Sequence, residues 1–301
     1  MDGLEPSTSA SQTRRATNCA TPRYPALIFA KQYNLYANDS QGPPLRELKN
    51  PVLNELIRVH HEKYQDDIDF WLSRTSNRDP VLELGCGHGR VTIPLSLSGR
   101  QTVGVDLDLV SLHYLATAFR KANPLNPALV QADMLRLPLK IKFGAVIIPC
   151  NTYSLLKADQ RITLVKRIFQ LLKPSGVFIV SVPNPLLIRE YHQELSSGEN
   201  EQILDDEGRI SHPISGNPIQ ISSQLTAVEG ALSWEWIYDH LHPDGNVERY
   251  RKSAVHQLSS LEQYQKEIEC AGLIILECLG DFNGSPIQND SPYLIMICSK
   301  N

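Results

Sequence analysis

Between Asn50 and Leu72 apolar side chains return at Leu53, Leu56, Ile57, Tyr64, Ile68, Trp71 and Leu72, behind an Asn cap and a first-turn proline. That spacing predicts one amphipathic helix. From Pro80 the pattern changes to short runs that are apolar throughout, alternating with helical periodicities. "VLEL" leads through three glycines into "RVTIPLSLSG"; "TVGVD" leads into a helix with Leu109, Leu112, Ala116 and Phe119 on one face; "ALVQAD" follows. "FGAVIIP" precedes a helix carrying Ile162, Val165, Ile168, Phe169 and Leu172, stopped at Lys173-Pro174-Ser175-Gly176 before "VFIVSV". Continuous apolar strands separated by helices predict a parallel sheet covered on both faces.

After Pro183 the text is polar and turn-rich through "QILDDEGRISHPISGNP", and then two long alternating runs, "ALSWEWIYDHL" and "NVERYRKSAVHQL", flank "HPDG". These predict an antiparallel hairpin inserted into the α/β pattern. A helix over Leu261–Cys270 and two strands, "LIILECLG" and "PYLIMICS", close the chain.

Composition narrows this picture without redirecting it. With 301 residues and 42% apolar content the chain can bury a large core. A net charge of -4 supplies no field to gather nucleic acid or anionic membrane. The six cysteines are scattered, with neither a C-x-x-C pair nor a disulfide spacing, so no metal site is expected from them and reduced, mostly buried thiols are. No apolar run has the length of a membrane span, and the first 25 residues, rich in Ser and Thr, read as a disordered tail rather than a signal. The expectation is a cytoplasmic protein.

The chemistry concentrates in "VLELGCGHGR". Gly85, Gly87 and Gly89 stand at every second position, which fits neither the G-x-G-x-x-G dinucleotide turn nor a P-loop, whose Lys and Ser or Thr are missing. A glycine turn between strand and helix lets backbone approach a ligand at the carboxyl edge of the sheet. Asp106 ends the second strand, where a carboxylate can accept both hydroxyls of a ribose; Asp133 ends the third, where it can accept from an adenine amine. Each acid can equally cap the helix behind it.

In this order and spacing, "VLELGCGHGR", "VGVDLD", "QADMLRLP", "VIIPCNTYSLL" and "LLKPSGVFIVSV" resemble the class I S-adenosylmethionine-dependent methyltransferases. The resemblance covers about 50–182, and the terminal strands look like that fold's antiparallel last pair. It implies a Rossmann-like, doubly wound, seven-stranded α/β sheet with an antiparallel last strand, interrupted by the inserted hairpin. It implies that Glu83 orients a methionine ammonium, that Gly85, Cys86, Gly87 and Gly89 wrap methionine and ribose, and that Asp106 takes the ribose hydroxyls. Leu107 would pack on adenine, Asp133 with Met134 would meet its edge, and Cys150 and Asn151 would flank the sulfonium. One departure is Gly144, where the family usually has Asp. The chain then divides into a tail over 1–25, a helical cap over 26–79, the S-adenosylmethionine-binding core over 80–183, a hairpin lid over 184–259, and the last helix with the terminal strands over 260–301.

For the methyl acceptor, alternation puts Leu232, Trp234, Trp236, Tyr238, His240 and His242 on one hairpin face, an aromatic wall for a pocket or else the hairpin's own core or a dimer contact. Tyr33 and Tyr36 could close over the cofactor from the N-terminal side. Tyr153, His192, His240 and His242 are the candidate bases, because each lies after a strand end or on the insertion. "PCNTY" lacks the Asn/Asp-Pro-Pro-aromatic motif of the amino-methylating nucleic-acid enzymes, so the expected acceptor is an N or O atom of a small molecule. RNA, protein, and a non-catalytic scaffold stand as alternatives. A homodimer through the hairpin remains open.

Overall fold

The computed structural model describes residues 51–122, 127–198 and 202–301. The four residues of strand β1, Val81–Leu84, are all buried, which is how a strand reads when both faces of its sheet are covered. Val81 packs with Phe70, Trp71, Leu95, Ala145 and Ile147 on one face, while Leu82 and Leu84 pack with Val146, Ile148, Leu164 and Ile268 on the other. Around β1 lie β2 (Thr102–Asp106), β3 (Ala128–Gln131), β4 (Phe143–Ile148) and β5 (Leu172–Pro183), all paired in parallel. The seven-stranded sheet is completed by β10 (Ile274–Leu279) and β11 (Tyr293–Ser299) in the order β10-β11-β5-β4-β1-β2-β3. β11 runs antiparallel to both its neighbours, so the expected doubly wound sheet with a reversed last strand is present.

Helices α1 (Pro51–His61) and α2 (Ile68–Arg74) replace the single amphipathic helix expected across this segment. The break has a local cause: Asp67 turns its carboxylate to the Trp71 indole at 2.8 Å and to the Arg90 guanidinium, which holds the chain between the two helices against the glycine loop. α3 (Thr92–Leu97) and α4 (Leu109–Ala122) follow β1 and β2. α5 (Ala158–Leu171) and α7 (Leu261–Cys270) cover the opposite face. Between α5 and α7 Arg161, fully buried, makes a bidentate pair with Glu267 at 2.8 Å on both branches and lies 4.7 Å over the Tyr264 ring.

The insertion is larger than the expected hairpin. After α6 (Pro185–Ser196) the chain forms a four-stranded antiparallel meander, β6 (Ile203–Ser211), β7 (Pro218–Val228), β8 (Ala231–Leu241) and β9 (Val247–Gln257). The two strands that pattern alone did not reveal are polar on one face and carry their apolar residues sparsely, at Ile210, Ile219, Ile221 and Leu225. These four meet α1 and α6 rather than the main core.

The missing acid at Gly144 has a steric reason. A Cβ there would stand 2.1 Å from the carbonyl oxygen of Arg78, so no side chain fits unless the backbone before β1 moves. Among the described residues Cys86 and Cys298 are buried, Cys278 is half-buried, and Cys150 and Cys270 are exposed, so the thiols are less buried than expected.

Candidate functional site

The turn from β1 to α3 is built by glycines whose backbone no other residue adopts comfortably. Gly85 has φ +75° and a Cβ there would press on Thr152 at 3.0 Å; Gly89 has φ +90° and its Cβ would collide with Leu115 at 2.2 Å. The loop is therefore packed between the turn after β4 and helix α4. Gly87 faces open space and donates its amide to Asp106 Oδ2 at 2.7 Å, while the Asp108 amide reaches Oδ1 at 2.9 Å. Burial pushes the Asp106 carboxyl up, and the Asp108 and Gly87 amides oppose that. Each carboxylate oxygen still has a lone pair to offer. Leu107 beside it is exposed, and Asp133 uses Oδ1 to cap the turn over Met134–Arg136 through the Leu135 amide at 2.9 Å. Asp133 thus caps the turn behind it, whereas α4 is capped by Asp108 through the Val110 and Ser111 amides and Asp106 is left with the Gly87 and Asp108 amides.

Glu83 sits at the end of β1, 3% exposed, with its carboxylate accepting the Thr92 hydroxyl. Burial pushes its pKa up to about 8, against the lowering pull of Thr92 and Arg90. A carboxyl in that state is poised to ionise when a cation arrives beside it. Arg90 does not neutralise it outright, because its guanidinium is committed to Asp67, to the Tyr64 carbonyl at 2.7 Å and to Cys150 Sγ at 2.9 Å.

Past β4, Cys150 and Asn151 both adopt left-handed backbone, φ +57° and +59°. Such conformations cost on the order of 1–3 kcal/mol each and need a surrounding that imposes them. Asn151 Oδ1 is buried and has no partner. A glycine turn, a buried carboxyl at Glu83, the Asp106 carboxylate beside an exposed Leu107 and the orphaned Asn151 amide oxygen lie along one edge of the sheet, where parallel α/β folds bind ligands.

Several expected acceptor residues are elsewhere. Tyr153 is wholly buried, ringed by Phe178 and Tyr264, and its hydroxyl has no partner; burial raises its pKa well above the usual range. It faces the core and cannot serve as a base at the sheet edge. Tyr238 is 1% exposed and bonds His60 Nδ1 at 3.0 Å, so that part of the aromatic face is covered by α1. His240 is buried at the far end of β8, stacked on His212. His192 spends Nε2 on the Val228 carbonyl at 3.1 Å, which ties α6 to the β7–β8 turn. Trp234 and Trp236 are half-buried and stacked at 5.4 Å, with Trp234 Nε1 buried and unpartnered. Tyr33 and Tyr36 lie outside the described residues.

One group escaped sequence reasoning. His256 on β9 is 4% exposed, packs edge-on to Trp234, and meets Ser154 Oγ at 2.8 Å through Nδ1. Ser154 donates its proton to the Asn151 carbonyl at 2.7 Å, so His256 Nδ1 must be the donor in its own bond. The lone pair is then on Nε2, which is buried without a partner. Burial lowers the ring's pKa to about 4, keeping it neutral. Ser154 and His256 also line a small cavity with Pro183, Pro185, Ile188 and Tyr264. No local motif marks His256, because strand register alone brings it to the turn after β4.

Residues 81–176 match the family model of a methyltransferase domain. The Bacillus subtilis (strain 168) protein YqeM, provisionally named a methyltransferase, is 24% identical over 255 residues, covering 83% of this chain and 95% of its own. In fold, the chain is similar to an S-adenosylmethionine-dependent methyltransferase from Clostridium acetobutylicum ATCC 824 (TM-score 0.69, 16% identity, covering 83% of this chain and 99% of that one). It is also similar to the sugar N-methyltransferase KedS8 from Streptoalloteichus sp ATCC 53650 (TM-score 0.61, 17% identity, 88% and 97%). Residues 81–176 thus carry a methyltransferase domain in a fold similar to that of S-adenosylmethionine-dependent methyltransferases, and these similarities support S-adenosylmethionine-dependent methyl transfer. Among the described residues no helix is long and apolar enough to cross a membrane.

Proposed function

We propose that this enzyme methylates a nitrogen or oxygen atom of a small molecule, and that the acceptor atom lies between Asn151, His256 and Trp234. The observation that carries this reading is the pair of buried, unpartnered acceptors, Asn151 Oδ1 and His256 Nε2, on adjoining elements beside the glycine loop. Buried acceptors left without donors cost about 1–3 kcal/mol each, and a bound N–H or O–H repays that.

The cofactor supplies a methyl group on a sulfonium, and the displacement needs alignment more than covalent help. In this reading Glu83 ionises against the methionine ammonium, Asp106 accepts the ribose hydroxyls, and Leu107 with Asp133 and Met134 receives the adenine. Cys150 and Asn151 flank the reacting centre. His256, neutral and weakly basic, accepts an N–H or O–H of the acceptor and turns its lone pair toward the methyl group. Such a group orients an amine well and deprotonates a hydroxyl poorly, so nitrogen is the favoured acceptor atom. KedS8, a sugar N-methyltransferase aligned over nearly its whole length, supports a small acceptor of that kind. A net charge of -4 favours it over RNA.

The test is a methyl-transfer screen over amines, amino sugars and phenols, followed by kinetics of His256→Ala on the best acceptor. Loss of alignment should lower kcat/KM by up to about 10²-fold while cofactor affinity holds. Turnover only on peptides or RNA, or a variant as fast as the parent, rejects the reading.

A further inference from the structure

A second cluster of ligating groups lies at the opposite end of the inserted sheet. His240 Nδ1, His242 Nε2 and a Glu248 carboxylate oxygen all fall within 4.8 Å of one another, with Glu248 Oε2 at 4.0 Å from His240 and 3.7 Å from His242. Cross-strand register makes the cluster: His240 stands opposite Glu248, and His242 follows on the same face two residues on. Tetrahedral zinc with bonds of about 2.0–2.1 Å holds its ligands about 3.3 Å apart, so separations of 3.7 Å to at most 4.8 Å must each close by about 0.4–1.5 Å, within reach of side-chain rotation.

The protonation states around the cluster can be read from the bonds. His212 Nδ1 accepts the Ile214 and Ser215 amides at 3.3 and 3.1 Å, so it carries no proton. The Ser215 hydroxyl, 3.1 Å away, then donates to it. Its oxygen accepts the Asn217 amide at 3.3 Å and is left to accept His240 Nε2–H at 3.2 Å. That assignment puts the His240 lone pair on Nδ1, the atom that faces Glu248 and His242. A ring held through its other nitrogen by a hydroxyl, as here, is the second-layer support that metal-binding histidines have.

We infer that His240, His242 and Glu248 form a binding site for a divalent zinc-like cation, with solvent in the remaining position. Two imidazoles and one carboxylate suit zinc over calcium or magnesium. The site is apart from methyl transfer: His240 lies six residues along β8 from Trp234, about 20 Å in an extended strand. Its work would be to clasp the β8–β9 turn to the 212–217 turn that stacks on it through the His212 and His240 rings, 4.3 Å apart and 4° from parallel. Cysteine spacing pointed away from a metal in this chain; the donors come from strand pairing.

The experiment is Zn²⁺ titration of the full chain by calorimetry and by competition with a chromophoric chelator, near pH 7.5. Expected are one equivalent with a Kd in the micromolar range or tighter, and a melting temperature that rises with Zn²⁺. His242→Ala and Glu248→Gln, both at accessible positions, should each weaken binding at least about tenfold, and Ser215→Ala about tenfold through the His240 ring. Affinity for S-adenosylmethionine should not change in any of them. Circular dichroism confirms that each variant is folded. Absence of saturable Zn²⁺ uptake, or equal uptake by the His242→Ala/Glu248→Gln double variant, overturns the site and assigns any binding to scattered histidines.

Discussion

The two sheets of this protein build their sites in different ways. At the carboxyl edge of the seven-stranded sheet each candidate group stands at a strand end: Glu83 and the glycines at β1, Asp106 at β2, Asp133 after β3, Cys150 and Asn151 after β4. In the four-stranded sheet the chemistry is assembled across strands, with His240 opposite Glu248 and His256 brought to Ser154 from 102 residues away. A parallel α/β sheet puts all its strand ends on one side, so local motifs suffice. An antiparallel meander sends successive ends to opposite sides, so only pairing decides which residues meet.

The largest expected effect probes how the two regions are joined. The insertion leaves the core after β5 and rejoins it at α7, and Arg161–Glu267 bonds α7 to α5. Removing one member of a buried pair strands the other charge, so Glu267→Ala should lower unfolding free energy by about 3–5 kcal/mol in urea denaturation. A loss below 1 kcal/mol would mean that the packing around Tyr264, not the ion pair, holds the helices together.

Asp106→Ala tests the core edge. Two hydrogen bonds to a charged acceptor are worth about 1.5–3 kcal/mol each, so S-adenosylmethionine affinity should fall by at least about 100-fold in calorimetry. Unchanged affinity would remove the ribose assignment.

Glu83 gives a pH signature. Its pKa is raised from 4.5 to about 8 in the folded chain, so the folded state keeps a proton that the unfolded chain releases in that window. Stability of the cofactor-free protein should therefore fall as pH rises from 5 to 8, by at least the ~1.4 kcal/mol that one pKa unit represents. In Glu83→Gln that part of the fall disappears. S-adenosylmethionine binding below pH 8 should release a proton in the parent and none in the variant, read from calorimetry in two buffers of different ionisation heat. Proton release that survives the substitution would place it on another group.

The smallest effect distinguishes wall from scaffold in the insertion. Tyr238→Phe deletes the bond to His60 on α1 and should cost about 1 kcal/mol of stability with kcat and KM unchanged. A raised KM for the acceptor would return Tyr238 to the pocket.

The core was readable because its signals are local: apolar runs, glycine spacing and acids at strand ends each predict their own position. The readings that failed share one cause. Tyr153 follows a strand end as an active-site residue would, yet a single 3₁₀ turn over Thr152–Leu155 rotates it inward against Phe178 and Tyr264. Tyr238 alternates correctly with Trp234 and Trp236, but α1 covers that stretch of the face. Alternation says which residues share a face; it does not say what covers it.

By itself the sequence determined the order of strands and helices, the glycine turn whose positive φ excludes other residues, and the placement of carboxylates at the ends of β1, β2 and β3. Only the tertiary structure decided the rest. Long-range register brought His256 to Ser154, gathered His240, His242 and Glu248 at the far tip, and paired Arg161 with Glu267. Those contacts join residues whose separation along the chain carries no period, and their energies exist only once the two sheets and their helices have packed.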